Sequence, residues 1–357
     1  MVETRSIVGG LWAQTPSRSL GRLMNNGSLD SIAGARMRIP SLLNALLLSL
    51  AMPAVSALAQ VDKPVRLLVG FAPGGSADIA GRLLAERMKE ELKQNVVVDN
   101  KPGAGGRIAA ELLKNAPADG STIMIAPIVV PVLAPLVFSK LSYDPLADFA
   151  PVAAVANFQF GLSVNAAHQA GTVAELVAWW KATPAQANFG TPGPGSLPHF
   201  FGVMIGRDAG LDLIHVPYNG GGPLMTALMG NQVSSAIDTL VDQIELQRAG
   251  KIRILASAGA KRAALLPEVP TFAESGLKGV EGSSWFAIYA PARTPEVTLR
   301  QLNAAINRAL ATPELRERFA KLGLEPTGGT QADLAALMKR DSERWAPVVK
   351  ASGFKAD

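Results

Sequence analysis

The sequence runs to 357 residues with 48% hydrophobic and 18% charged side chains, which is long enough for two lobes and too apolar for a disordered chain. Its formal charge of +5 divides into +3 over the first 59 residues, where Arg5, Arg18, Arg22, Arg36 and Arg38 face Glu3 and Asp30, and +2 over the rest, so it forms no basic stripe of the kind that binds nucleic acid. Cysteine is absent, and no two of His168, His199 and His215 have close metal-binding spacing; disulfides and thiol chemistry are excluded, and neither a metal enzyme nor a cofactor is expected.

Met37-Arg38-Ile39-Pro40, the apolar stretch Leu42 to Leu50 and Ala57-Leu58-Ala59 stand in the order of a signal peptide. The apolar core is too short to span a membrane, and Pro40 and Pro53 speak against a buried helix. Residues 37–59 are therefore expected to direct export to the periplasm, with cleavage after Ala59 and a mature chain from Gln60. Residues 1–36 fit no part of such a signal and are expected to be an extension in front of the true start at Met37.

From Val61 strand-like and helix-like segments alternate, as in an α/β fold with mostly parallel strands. Val65–Val69 is a short apolar run followed by a glycine-rich turn and a helix in which Ile79, Leu83, Leu84, Met88 and Leu92 keep helical spacing. Val96–Val98 and Thr122–Ala126 are the next strands, with a helix near Ile108–Lys114 between them. Short strands follow at Leu162–Val164, Asn188–Gly190, Ile214–Val216, Ser234–Ile237, Ile252–Ala256 and Trp285–Tyr289. Helices are expected around Val173–Lys181, Pro198–Ile205, Leu224–Met229 and Val241–Arg248. The chain ends in helices over Pro295–Ala311, Pro313–Leu322 and Gln331–Ala351.

Two glycine-rich turns carry the functional signal. In Phe71-Ala72-Pro73-Gly74-Gly75-Ser76-Ala77-Asp78 the backbone can approach a ligand closely, and the amides opening the next helix suit an anion such as a carboxylate. The plain alternative is an ordinary strand-to-helix turn with Asp78 as the cap. A dinucleotide site fails on spacing, since Gly74, Gly75 and Gly81 do not form G-x-G-x-x-G, although Asp99 lies where a ribose-binding acid would. The second turn, Gly190 to His199, leads into a helix in the same way; Ser196 is expected to cap it, and Thr191, Gly193 and Gly195 shape it. A Ser196–His199 hydrolase lacks the G-x-S-x-G elbow.

Three further residues stay open at this level. His199 either bonds the ligand or packs under its loop. Asp238 either meets a polar group of the ligand or caps the helix beyond Thr239. Arg107 is either a carboxylate clamp or a solvated side chain at a helix start.

The ordered set Phe71–Asp78, Asn100–Gly106, Ala118-Asp119-Gly120, Tyr143-Asp144-Pro145, Asp148–Pro151, His215-Val216-Pro217-Tyr218, Leu265 to Thr271 and Ala290-Pro291 resembles the Bug family, the substrate-binding proteins of tripartite tricarboxylate transporters, from Pro64 to Phe354. That resemblance implies a two-lobed periplasmic-binding-protein fold of type II, each lobe a mostly parallel sheet flanked by helices, with the ligand in the cleft between lobes. It implies crossings near residue 160 and near Trp285, hence one lobe from residues 60–160 with 285–357 and another from 161–284. A carboxylate would be held by the loops 71–78 and 191–199, through Phe71, Pro73, Gly74, Gly75, Ser76, Asp78, Thr191, Gly193, Gly195, Ser196 and His199, with Ala126, Ile128 and Asp238 beside them. The implied partners are the permease subunits of a membrane transporter; a periplasmic sensor feeding a histidine kinase is the alternative, a periplasmic enzyme a third reading, and a monomer is expected.

The sequence departs from the common pattern at Arg107, Asn219 and Ala287. The apolar, proline-rich segment from Ala126 to Pro135, with Phe71 and Phe158, favours an apolar or aromatic carboxylate over citrate.

Overall fold

The computed structural model describes residues 63–356; the extension 1–36, the signal segment 37–59 and the cleavage after Ala59 lie outside the described residues. Ten strands are present among those described: β1 (Val65–Val69), β2 (Val96–Asn100), β3 (Thr122–Pro127), β4 (Phe149–Asn165), β5 (Asn188–Thr191), β6 (Ile214–Pro217), β7 (Ala236–Thr239), β8 (Ile252–Ser257), β9 (Ser283–Pro291) and β10 (Glu325–Pro326). Their order is β2-β1-β3-β9-β4-β7-β5-β6, with β8 and β10 also paired to β4.

β1 runs parallel to β2 and β3, and β5 runs parallel to β6 and β7. Leu67, Leu68, Val69 and Ile123 to Ala126 are buried, as expected of parallel strands covered on both faces. At the outer edge Asp99 of β2 meets Arg66 at 2.9 Å and Lys101 at 3.0 Å, and charges at an edge discourage pairing with another chain.

Between the parallel groups the sheet differs from the expectation of mostly parallel strands: β4 is antiparallel to β7, β8, β9 and β10, and β9 is antiparallel to β3. The sheet is mixed because the two strands that link its halves run through its centre. The first 11 residues of β4, Phe149–Gln159, pair with β9, and its last six, Phe160–Asn165, pair with β7 and β8. The strand expected at Leu162–Val164 is only the end of this 17-residue element. Its Ala-rich start is buried on both faces, so it shows no polar alternation to read. The register shifts between Pro151 and Ala153, an irregularity at which a proline is tolerated inside a sheet.

The core is continuous across this centre. Phe158 stacks on Phe286 at 4.4 Å and meets Phe160 edge-on at 5.5 Å, and Phe160 meets Phe201 at 5.6 Å. Such offset and edge-on pairs add about 0.5–1.5 kcal/mol each beyond the area they bury. Trp285 points to the other side of β9, where its Nε1 donates to Asp341 Oδ2 at 2.6 Å on the helix Gln331–Ser352. The core therefore holds β9 from both faces.

Candidate ligand-binding site

The loop after β1 is built around Asp78. The helix begins at Ser76 with Gly75 in the cap position, so Asp78 is not the cap that the sequence suggested but a first-turn residue. Its carboxylate accepts from the Gly74 amide, Arg82 Nε and Asn100 Nδ2, each at 2.9 Å. Burial acts to raise its pKa, but the hydrogen bonds from Arg82, Gly74 and Asn100 outweigh it and hold the group below the usual range. Asn100 also donates to the Phe71 carbonyl at 3.1 Å. Asp78 thus fixes both ends of the loop, with Gly74 held at φ +83°, a conformation in which glycine is unstrained.

The loop after β5 is held by its own hydroxyls. Ser196 occupies the cap position of the helix Leu197–Ala209 but does not cap it, contrary to expectation; its Oγ instead donates to the Gly193 carbonyl at 2.7 Å. Thr191 Oγ1 donates to the same carbonyl at 3.1 Å and lies 2.7 Å from His215 Nε2. The Gly195 amide donates to His199 Nδ1 at 3.2 Å, which assigns that nitrogen as unprotonated. His199 stacks on His215 at 4.0 Å and meets Phe354 edge-on at 4.2 Å. Burial pushes His199 down to about 3, with His215 contributing, and burial pushes His215 down to about 4.

The two loops face each other across a narrow cleft of about 50 Å³. A β-carbon on Gly193 would lie 3.3 Å from Gly105 Cα, and one on Gly75 would lie 3.5 Å from the Gly221 nitrogen. Of the expected residues Phe71, Gly75, Ser76, Ile128, Gly193, Ser196 and Asp238 line the cleft; Pro73, Gly74, Asp78, Ala126, Thr191, Gly195 and His199 do not. Phe158 lines it as well, and so do Phe160, Gly221, Thr239, Ser284 and Phe286, which the sequence reading did not assign to the site. Ser284 and Phe286 flank Trp285 in β9, so the strand's two-residue period carried the missing signal.

Arg107 does not line the cleft, and its Nη1 is buried without a partner. Its guanidinium lies 3.5 Å from the centre of the Phe138 ring, outside the cleft, and burial pushes its pKa down despite the field of Tyr143. Among the described residues no basic side chain lines the cleft. Positive potential comes instead from the starts of four helices, Ser76–Leu92, Leu197–Ala209, Gly221–Met229 and Leu240–Arg248, whose first residues or caps all reach it. Each start contributes about 0.3–1 kcal/mol toward a negative group in exposed settings and more when partly buried.

Asp238 lines the cleft, and Asp242 stands beside it under Gly221. Thr239, not Asp238, caps the helix Leu240–Arg248 through the Asp242 amide, which corrects the capping role expected of Asp238. Asp242 accepts from Thr239 Oγ1 at 2.9 Å. Burial pushes Asp242 up to about 6 against the pull of Thr239 and Ser76. Asp238 Oδ1 accepts the Thr239 amide at 2.7 Å, while its Oδ2 and the hydroxyl of Ser284 are buried without a partner. Burial, with the neighbouring Asp242 charge, pushes Asp238 well up.

This arrangement can hold an anion by oriented amides and enclose an apolar body between Phe71, Phe158, Phe160 and Phe286. It does not assemble a nucleophile and base, since the Ser196 hydroxyl donates to Gly193 and His199 Nδ1 accepts from Gly195.

Comparison with known proteins places the geometry in context. The family model described as tripartite tricarboxylate transporter family receptor matches residues 80–354. Protein BugT of Bordetella pertussis is 32% identical over 302 residues, covering 84% of this chain and 93% of its own. A solved structure of an R. palustris protein with adipate superposes with a TM-score of 0.79 at 34% identity, covering 82% of this chain and 98% of that one. MatC from Rhodopseudomonas palustris with bound malate gives a TM-score of 0.76 at 31% identity, covering 80% and 98%.

Proposed function

The chain belongs to the Bug/TctC family of tripartite tricarboxylate transporter receptors, and on that premise we propose that its cleft closes on a small carboxylate with an apolar or aromatic body. It is a periplasmic solute-binding protein that captures a small carboxylate for delivery to a membrane transporter, not an enzyme. The observation that carries the ligand class is the convergence of four helix starts on a cleft walled by four phenylalanines and free of basic side chains. Phe71, Gly75, Ser76, Ile128, Gly193, Ser196 and Asp238 meet the ligand directly in this reading. Pro73, Gly74, Asp78, Ala126, Thr191, Gly195 and His199 hold the loops that do so. The relatives' adipate and malate are both small carboxylates, which supports the carboxylate group and not the apolar body.

The lobes are taken as 60–160 with 285–357 and 161–284, hinged where β4 changes partners near Phe160 and where the chain enters β9. A ligand touching both lobes favours the closed form by its differential affinity for it, and the closed surface is what the permease subunits receive. Cleavage after Ala59 would release the mature protein. A thermal-shift series on protein isolated from the periplasm tests the ligand class. Benzoate-like acids at ~100 times their dissociation constant should add about 2.7 kcal/mol of stability, with citrate giving a smaller shift. A citrate shift equal to or larger than theirs would overturn the apolar preference.

A further inference from the structure

Asp238 lines the cleft and is fully buried, yet its Oδ2 has no hydrogen-bond partner. Buried polar side chains are nearly always paired, and a carboxyl oxygen left without a partner is costly. The donors around it are spent. The Thr239 amide donates to Asp238 Oδ1 at 2.7 Å, and the Thr239 hydroxyl donates to Asp242 Oδ2. Gln243 Nε2 donates to the carbonyls of Gly161 and of Asp238 itself, which uses both of its hydrogens. Oδ2 lies against Gly221, where a β-carbon would stand 2.7 Å from it, and Gly221 lines the same cleft. The unpaired oxygen is therefore at the cleft wall, beside the space that a ligand fills.

The carboxylate of a ligand has its place elsewhere. The helix Leu197–Ala209 has no side chain capping it, Gly193 and Ser196 at its start line the cleft, and the amides of a helix start suit a negative group. At the Gly221 wall a carboxylate would meet Asp238 and Asp242 together. What Oδ2 calls for is a different group on the same molecule.

We infer that the cargo carries, besides its carboxylate, a hydroxyl that binds Asp238 Oδ2. The inference rests on the reading that the cleft takes a small carboxylate with an apolar or aromatic body, and it narrows that class to hydroxylated acids. A hydroxyl satisfies Asp238 in either protonation state, since it donates to a carboxylate and accepts from a carboxyl O–H; burial and the neighbouring Asp242 charge push this acid well up. An ammonium suits only the ionised acid, and it would meet the positive starts of the helices Gly221–Met229 and Leu240–Arg248. A site built to hydrogen-bond a ligand hydroxyl discriminates strongly against the analogue that lacks it, because its own buried group is then left unpaired.

Calorimetric titration of the full protein isolated from the periplasm tests this, with benzoate, meta- and para-hydroxybenzoate and para-aminomethylbenzoate as probes. At least one hydroxybenzoate should bind about 10-fold or more tightly than benzoate, and the aminomethyl acid should not. In Asp238→Ala the hydroxyl preference should shrink to within about 3-fold. A merely structural role for Asp238 would weaken all the acids alike and leave their ratios as they were. Asp238→Leu, closer in shape, serves if the alanine variant does not fold, and the wild-type ratios decide on the hydroxyl without any variant. Benzoate binding as tightly as both hydroxybenzoates, or the aminomethyl acid binding most tightly, overturns the inference and leaves the carboxylate reading intact. So does a preference that survives in a folded Asp238 variant, or one that is lost in Ser284→Ala instead, whose hydroxyl is also buried in the cleft wall without a partner. If none of these acids binds, both readings fall.

Discussion

Gly193→Trp should abolish ligand capture while leaving the protein folded. Gly193 faces Gly105 across the cleft, and even a β-carbon there would stand 3.3 Å from the Gly105 α-carbon, tighter than ordinary packing. An indole would fill the space between the phenylalanines and hold the lobes apart, so the closed form loses the contacts that define it. Affinity for the best carboxylate should fall by at least about 100-fold, roughly 2.7 kcal/mol, with the circular dichroism spectrum unchanged. Arg107→Ala is the matched control. Its guanidinium lies over Phe138, outside the cleft, so affinity should stay within about 3-fold. Equal losses in both variants, or none in Gly193→Trp, would mean that the ligand binds elsewhere.

The second large effect is on stability in mild acid. His199 and His215 are stacked and pushed down to about 3 and about 4, against about 6.5 in an unfolded chain. With folded values depressed, the unfolded state takes up more protons as the pH falls below 6.5. Stability is thus complete above that pH and is lost progressively toward pH 3–4. Between pH 7 and pH 5 the pair should remove on the order of 3–4 kcal/mol. Asp238 and Asp242 act in the opposite sense, because their raised values favour the folded state in acid. Urea midpoints of the wild type and of His199→Gln/His215→Gln across this range isolate the share of the stacked pair, since His168 and the carboxylates are common to both. The wild type should lose the larger share of its midpoint. Parallel curves would show that the histidines do not titrate as their burial requires. The same protonation would remove the acceptor for the Gly195 amide, so the loop that faces the ligand should loosen in acid as well.

Much of the frame was legible because its signals are local. The Val65–Val69 run, its glycine turn and the spaced apolar residues after it form a strand, loop and helix as expected. The two facing loops were also readable, since glycine clusters at helix starts have a specific physical use. The sequence was less informative where neighbours distant in the chain decide a side chain's role. Asp78 looked like a cap, but Asn100 and Arg82 make it the fastener of a loop. His199 stayed open between a ligand contact and packing under its loop, and only the folded chain shows its bond from Gly195 and its stacking on His215. Ser196 and Asp238 each lost the capping role to a competing partner, the Gly193 carbonyl for one and Thr239 for the other.

The most direct measurement is a crystal structure of the protein with its tightest-binding carboxylate. Expected is the carboxylate at the start of Leu197–Ala209, within hydrogen-bonding distance of its first amides, with the apolar body among Phe71, Phe158 and Phe286. A ligand seated instead in the broader hollow bounded by Lys261, Arg262, Arg316 and Arg344 would contradict the cleft as the site of capture.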